Sequence, residues 1–298
     1  MHSSTMTGLV TQTGGGTHRV ATGEATLACT VRGRLAQDPQ AVCLGDRVMV
    51  TQLDDARGII ESVLPRSSQL SRMAAGKQPR EQIIAANIDQ VVLVFAAADP
   101  AFKETAINRY LVVAEHCGIP ALVCVNKADI ADWAWLQGRT EVYRGIGYHV
   151  VLASALTGDG IPELREALAG RVSALVGPSG VGKSSLINAV EPGLDLATGE
   201  VGSGTHKGRH TTTGGRLLAL SSGGYVADTP GMREFGFWKI PRADLALCYR
   251  EIRPLIGQCK YKDCSHVSEP GCAVRAAVDD GRISRERYDH YARLTREG

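Results

Sequence analysis

A chain of 298 residues has room for about two domains, or three small ones. With 44% apolar and 21% charged residues it reads as an ordinary soluble protein with enough material for a core, and a formal charge of +2 gives no ground for general polyanion binding. The longest apolar runs, such as VVLVFAAA at 91–98, suit buried strands and are too short to span a bilayer.

The stretch MHSSTMTGLVTQTGGG carries neither a charged leader nor an apolar signal core. Residues 1–65 then read as short β segments (GLV, HRVATGE, ATLACTVRGRL, DRVMVTQL, RGIIESVL) separated by Gly, Asp and Pro, with no helical apolar period. A small β-barrel is the expectation. The polar stretch 66–82 reads as a linker. From 83 to 238 strand and helix alternate: DQVVLVFAAAD, ETAINRYLVVAEHCG, IPALVCVNKAD, a helical stretch over 131–146, YHVVLASA, GIPELREALAG, RVSALVGPSG and KSSLINAV, then two strands in GRLLALSSGGYVADTPG. That alternation predicts a mostly parallel sheet with helices on both faces. Residues 239–298 read as helical, interrupted by a Cys/His-bearing loop. Cys29, Cys43, Cys117 and Cys124 sit scattered among apolar neighbours, as buried reduced thiols do, and the expectation is a cytoplasmic protein. Nothing in the chain demands more than a monomer.

Chemistry concentrates at a few motifs. Gly177-Pro178-Ser179-Gly180-Val181-Gly182-Lys183-Ser184, continued by Ser185, fits the phosphate-binding pattern G-x-x-x-x-G-K-[ST] without a mismatch. Its glycines let backbone N–H groups wrap phosphates at a helix N-terminus. Lys183 would reach the β- and γ-phosphates, and the Ser184 hydroxyl would bind Mg²⁺. Asp228-Thr229-Pro230-Gly231 fits D-x-x-G after an apolar strand, with Asp228 holding the Mg²⁺ shell and the Gly231 N–H sensing the γ-phosphate. An Asp-Pro-Gly turn is also common without any ligand. Asn126-Lys127-Ala128-Asp129 fits N-K-x-D, whose carboxylate accepts from guanine N1 and N2, a donor pair that adenine lacks. Ser154-Ala155, after YHVVLA, offers a backbone donor for guanine O6. N-K-x-D precedes the phosphate loop here, the reverse of the ordinary order. A parallel sheet fixes which loops face a ligand at its C-terminal edge, not the order in which the chain visits them. Joining the old ends and opening a different loop reproduces this order, so the domain reads as circularly permuted.

Cys259-x4-Cys264-x-His266-x5-Cys272 brings three thiols and an imidazole into fourteen residues. Four such ligands would close a tetrahedral zinc site, and reduced, unliganded thiols beside one histidine are the competing reading.

NKAD, SALTGDG, GPSGVGKSS, KGRHTTT, DTPG and CKYKDCSHVSEPGC together resemble the ribosome small subunit-dependent GTPase A family, over nearly the whole chain. The resemblance implies a multidomain α/β protein: an N-terminal OB-type barrel, a circularly permuted P-loop GTPase domain and a C-terminal helical zinc-binding domain. It implies a GTPase acting late in small-subunit maturation, with the small ribosomal subunit and its rRNA as partners. One structural Zn²⁺ at Cys259, Cys264, His266 and Cys272, and Mg²⁺ with GTP, go with it. Met232 stands directly after D-x-x-G, where many GTPases carry a water-orienting Gln. A histidine in a glycine-rich loop ordinarily faces solvent; the resemblance implies a water-orienting role for His210, with Thr211 or Thr212 completing the Mg²⁺ shell. The Met keeps a second reading open, a nucleotide-gated RNA-binding module with negligible hydrolysis. An ATP-dependent enzyme would leave NKAD unexplained.

Residues 1–65 contain no Phe, Tyr or Trp, so base stacking on the barrel is unavailable. Arg32, Arg34, Arg47 and Arg57 are the barrel's candidates for phosphate contact, with an ordinary solvated surface as the competing reading. Arg282, Arg285, Arg287, Arg293 and Arg296 cluster with Tyr288 and Tyr291 in the C-terminal tail, where interleaved acids fit an amphipathic solvated helix equally well. Because the chain passes from DTPG directly into the Cys/His segment, nucleotide state is expected to change the placement of residues 240–298.

Overall fold

A computed structural model describes residues 5–23, 25–38, 41–73, 81–194, 196, 215–228 and 240–297. Strands β1 (Thr5–Gly14), β2 (Thr17–Ala21), β3 (Thr26–Val31), β4 (Arg47–Gln52) and β5 (Arg57–Val63) close on themselves in the order β1-β2-β3-β5-β4-β1. Only the β3–β5 pair is parallel. Alternation along β4 turns Val48 and Val50 inward, where they meet Val10, Val20, Leu27, Cys29 and Ile60. This is the OB-type barrel, filled by β-branched side chains.

Of the stretch 66–82, expected to be a linker, residues 66–73 and 81–82 are described, and these are built into the fold. Strands β6 (Gln69–Met73) and β7 (Glu81–Ala86) pair antiparallel as a two-stranded ribbon, with Leu70 fully buried. Arg66 donates to both carboxylate oxygens of the buried Asp46, at 2.7 and 2.9 Å. Asn87 donates to Gly45 O and accepts from Ser67 N, each at 2.9 Å. Arg66, which read as solvated, is consumed by bonds to the barrel, which no local periodicity reveals.

Strands β8 (Gln90–Ala96), β9 (Ala121–Asn126), β10 (His149–Leu152), β11 (Val172–Val176) and β13 (Tyr225–Asp228) form a parallel sheet in the order β10-β9-β8-β11-β13, and the short β12 (Arg216–Ala219) adds antiparallel to β13. Every residue of β8 is buried, because both faces are covered. Val91, Leu93 and Phe95 face helices α1 (Glu104–His116) and α2 (Trp133–Gly145); Val92, Val94 and Ala96 face α3 (Ile161–Leu168) and α4 (Lys183–Val190). Period-two alternation thus divides one strand between two cores. β8 and β11 lie side by side at the centre while their helices leave to opposite faces, which opens a crevice at the strands' C-terminal ends. Among the described residues one register pair, Gln12 with Arg216, joins β1 to β12 and makes one eleven-stranded sheet of barrel and α/β unit.

From Ile240 the chain forms short 3₁₀ turns and helices α5 (Ala273–Asp279) and α6 (Arg285–Glu297). Leu245, Tyr249, Ile252, Val274, Tyr288 and Tyr291 make their core, and Val112 of α1 belongs to the same cluster. The unit is also bonded to the α/β sheet. Arg287 pairs with Glu251 at 2.7 Å and donates to Asn108 on α1 at 3.1 Å; Glu115 of α1 accepts from Arg250 at 2.7 Å and Arg253 at 2.6 Å.

These contacts remove Arg287, Tyr288 and Tyr291 from the expected RNA surface and give most of the other candidate arginines acidic neighbours. Arg287, Tyr288 and Tyr291 are buried; Arg282, Arg285 and Arg293 pair with Asp280, Asp279 and Glu297. Arg296 is exposed. On the barrel, Arg32 pairs with Glu61 and Arg57 with Asp54, while Arg47 is exposed; the Arg34 side chain is not among those described. Most of those partners are sequence neighbours, the acids interleaved with the arginines; Glu61 alone comes from a distant strand. No helix among the described residues is long and apolar enough to cross a membrane.

Candidate nucleotide site and metal centre

The phosphate loop spans the end of β11 and the start of α4. A Cβ on Gly177 would lie 2.0 Å from Val94 O of the neighbouring strand, and one on Gly182, at φ +88°, would lie 2.3 Å from Asn126 Nδ2. Only glycine fits either place. Val181 is buried, anchoring the loop, while Ser179 and Gly180 face solvent. Lys183 Nζ donates to Gly177 O at 2.8 Å and Pro178 O at 2.6 Å, which centres its charge in the curl of the loop.

β9 ends at Asn126, beside that loop. The Asn126 amide, 2% exposed, donates to Val181 O at 2.8 Å and accepts from Ala155 N at 3.1 Å. One side chain therefore ties together three loops contributed by 124–132, 153–157 and 177–185. Lys127 takes the left-handed conformation at φ +59° and its ammonium bonds Asp99 O. Ala128 N donates to Ala153 O at 3.0 Å, and the Asp129 carboxylate is exposed. Ser154 Oγ accepts from Leu156 N and Thr157 N, turning the chain away. An open cleft of about 350 Å³ is lined by Asn126, Lys127, Asp129, Ser154, Ala155, Gly182 and Ser185. Residues from opposite ends of the α/β sequence thus converge on one cleft.

Two features differ from the sequence reading. Ala155 N–H, expected to serve guanine O6, is engaged by Asn126 Oδ1. The rim includes two apolar side chains that the motifs do not name, Leu156 at 85% and Ile130 at 56% exposure. Their signal was present: an apolar residue directly after Ser-Ala and another directly after NKAD, each in a polar loop. Such residues suit the faces of a planar ring.

Asp228 closes β13, whose parallel register with β11 (Ala174 beside Ala227) puts it on the same edge as the phosphate loop. Arg216 Nε donates to Asp228 Oδ2 at 3.2 Å. The Ser184 hydroxyl and the Asp228 carboxylate are hard oxygen donors of the kind Mg²⁺ takes alongside phosphate and water. His210, Thr211, Thr212 and Gly231 lie outside the described residues.

All four predicted metal ligands meet. The ligand atoms of Cys259, Cys264, His266 and Cys272 lie within 4.8 Å of one another. Cys259 Sγ is 3.9 Å from Cys272 Sγ and 3.3 Å from His266 Nδ1, and Cys272 Sγ is 3.6 Å from that nitrogen. Tetrahedral Zn²⁺ with Zn–S near 2.3 Å spaces its sulfurs about 3.8 Å apart, so the set fits. Burial holds the His266 imidazole in its neutral, ligating form and pushes the Cys264 thiol up to about 12, so a bound cation would be needed to keep thiolates there. The backbone around the ligands is pinned by Tyr288 OH to His266 O (3.0 Å), Tyr291 OH to Ser265 O (2.8 Å) and four bonds into the Glu269 carboxylate from Ser265 N and Oγ, Val267 N and Ser268 N. Those bonds, the Ser265 hydroxyl's first, hold the Glu269 carboxyl well below the usual range.

Residues 63–238 match a family described as RsgA GTPase. The chain is 42% identical to the small ribosomal subunit biogenesis GTPase RsgA of Gemmatimonas aurantiaca, covering 99% of this chain and 98% of that protein, and 42% identical to its counterpart from Moorella thermoacetica, covering 96% and 95%. Among solved structures it is similar to YjeQ from Thermotoga maritima (TM-score 0.83, 35% identity, 99% of this chain and 98% of that one). It is similar also to YloQ, a circularly permuted GTPase (TM-score 0.79, 30% identity, 99% and 96%). The convergence of two sequence halves on one cleft has its explanation there: this chain belongs to the RsgA GTPase family.

Proposed function

We propose that this chain is a GTP hydrolase that binds the small ribosomal subunit and assists its late maturation in the cytoplasm, with turnover stimulated by the subunit. The observation that carries the reading is Asn126, whose amide fixes the N-K-x-D loop to the phosphate loop at 2.8 Å and thereby sets the span between a purine and its phosphates. Asp129 would accept from guanine N1 and N2, and Leu156 and Lys127 would flank the ring. The Ala155 N–H, which bonds Asn126 at 3.1 Å, would be shared with O6. Backbone N–H groups of residues 178–185 and the Lys183 ammonium would stabilise charge spreading over the transferring phosphoryl group. Ser184 and Asp228, with Thr211 or Thr212, would hold Mg²⁺, which supplies charge neutralisation at the phosphates when bound. His210 would orient the attacking water in place of the Gln that Met232 replaces. Cys259, Cys264, His266 and Cys272 would hold one structural Zn²⁺, and rRNA would be met by shape and charge.

GTP turnover measured with purified small subunits, with large subunits and with neither tests the whole reading. Acceleration by small subunits alone, of several orders of magnitude, is expected. Tight nucleotide-dependent docking without acceleration would leave an RNA-binding module instead. His210→Ala is expected to abolish the stimulated rate while GTP still binds; unchanged stimulated turnover would remove His210 from the mechanism.

A further inference from the structure

Arg216 stands where the barrel meets the nucleotide site. Its backbone is the junction: Gln12 of β1 pairs with it, and Thr13 N–H donates to Gly215 O at 3.2 Å. Its side chain reaches β13, where it is the direct cross-strand partner of Asp228 and donates to that carboxylate at 3.2 Å. The two side chains are 51% and 46% exposed, so the pair adds little to the stability of the fold. A contact of that kind can be exchanged without unfolding anything.

The barrel's other attachment is of a different character. Buried Asp46, Arg66 and Asn87 bond across it, and Leu44 bridges Ala85. That end is fixed. Among the described residues the β1–β12 end is a single register pair on a strand of four residues, without buried ion pairs across it.

We propose that Arg216 is a positioning residue that keeps the Asp228 carboxylate paired until the barrel is engaged, delivering a load on β1 to the magnesium-binding end of the nucleotide site. The proposal rests on the reading of Asp228 as a magnesium ligand. The chemistry is competition for one carboxylate: a guanidinium donates to the same oxygens whose lone pairs a hydrated divalent cation needs, and two cations sharing them repel. With Arg216 in place, Mg²⁺ binding opposes a standing ion pair. Displacing β12 by way of Gln12 and Thr13 would loosen that pair and ease entry of the cation.

The test uses the full-length protein with a fluorescent GDP analogue. Mg²⁺ is removed by gel filtration rather than by a chelator, so that zinc is untouched, and is then titrated back. For Arg216→Ala the half-saturating Mg²⁺ concentration is expected to fall about 2- to 5-fold, the size of a surface ion pair. Arg216→Lys should stay near wild type, and metal-free nucleotide affinity and melting midpoint should not move in either. Stimulation of hydrolysis by small subunits should drop in Arg216→Ala and be retained in Arg216→Lys. A wild-type Mg²⁺ midpoint in Arg216→Ala overturns the role of Arg216 alone. A shift accompanied by weaker metal-free binding or a lower melting midpoint also overturns it, since that marks a merely structural contact. Wild-type protein that binds the analogue without any response to Mg²⁺ sinks the assignment of Asp228 and the relay with it.

Discussion

Asn126 directs both ends of its amide at the protein, to Val181 O and Ala155 N. Truncation leaves a carbonyl and an N–H without partners inside a buried corner, at a cost of about 1–3 kcal/mol each. Asn126→Ala is therefore expected to weaken GDP binding at least tenfold by calorimetry; an unchanged affinity would mean that the loops keep their spacing without it. Asp129→Asn, in contrast, should leave the loops in place and shift preference toward xanthine nucleotides in a competition assay. A second residue sets a pH response. Burial beside Tyr249 and near Arg293 and Arg287 lowers the His290 pKa to about 4, against 6.5 for a free imidazole. Above pH 6.5 neither folded nor unfolded chain is protonated there, and the group is neutral to stability. Between 6.5 and 4 the unfolded chain takes up a proton that the folded chain refuses, so stability falls as pH falls, by up to about 3 kcal/mol. The melting midpoint of His290→Gln should accordingly decline less steeply than wild type from pH 6.5 to 4; parallel curves would show that His290 does not control the slope. The motif letters gave Asp129 its chemistry, whereas the tie made by Asn126 needed the geometry, because its partner Val181 is fifty-five positions away.

At the scale of elements, what the sequence revealed followed periodicity. β8 reads directly because an unbroken apolar run has one structural outcome between two layers of helices. The β6–β7 ribbon did not read, since its residues alternate weakly; Leu70 and Ala85 bury into the core, and flanking Arg66 and Asn87 bond to the barrel. Helix α6 misled for a related reason: a string of Arg and Tyr is equally a basic stripe or a buried face, and Tyr288 and Tyr291 turn out to brace the metal loop. The loop between Cys259 and Cys272 contains few apolar residues to fold it, so a bound Zn²⁺ would supply much of its order, on the order of 10 kcal/mol. Stripping zinc with a strong chelator, or Cys272→Ser, is expected to make residues 259–272 protease-sensitive and to lower the melting midpoint. GDP affinity should persist in buffered Mg²⁺, because the cavity at Asn126 shares no ligand with the cluster. A metal-free protein as resistant to proteolysis as the holo form would argue that thiols alone hold the loop.

For the whole molecule, the permutation suggested that residues 240–298 swing with the nucleotide, yet the docking of this unit on α1 opposes a free swing. Arg287, 2% exposed, binds Glu251, 5% exposed, and also Asn108 of α1, which Tyr143 of α2 bonds as well. Breaking such a buried pair from one side costs about 3–5 kcal/mol, more than a loose hinge would require. Glu115 adds two further arginine contacts, and Val112 threads into the C-terminal core. None of this was legible beforehand, because Asn108, Glu115 and Arg287 are residue types that ordinarily face water, and only their mutual pairing buries them. The C-terminal unit should move as one body with α1 and α2. Spin labels at the exposed Gln137 of α2 and Arg296 of α6 are expected to report one distance with GDP and with a non-hydrolysable GTP analogue. Arg287→Met should broaden that distribution, by leaving Glu251 charged and unpaired, and adding Glu251→Leu should narrow it again as an apolar contact replaces the ion pair. A nucleotide-dependent change in the wild-type distance would show instead that the α1 interface slides, and would restore the swing that the chain order implies.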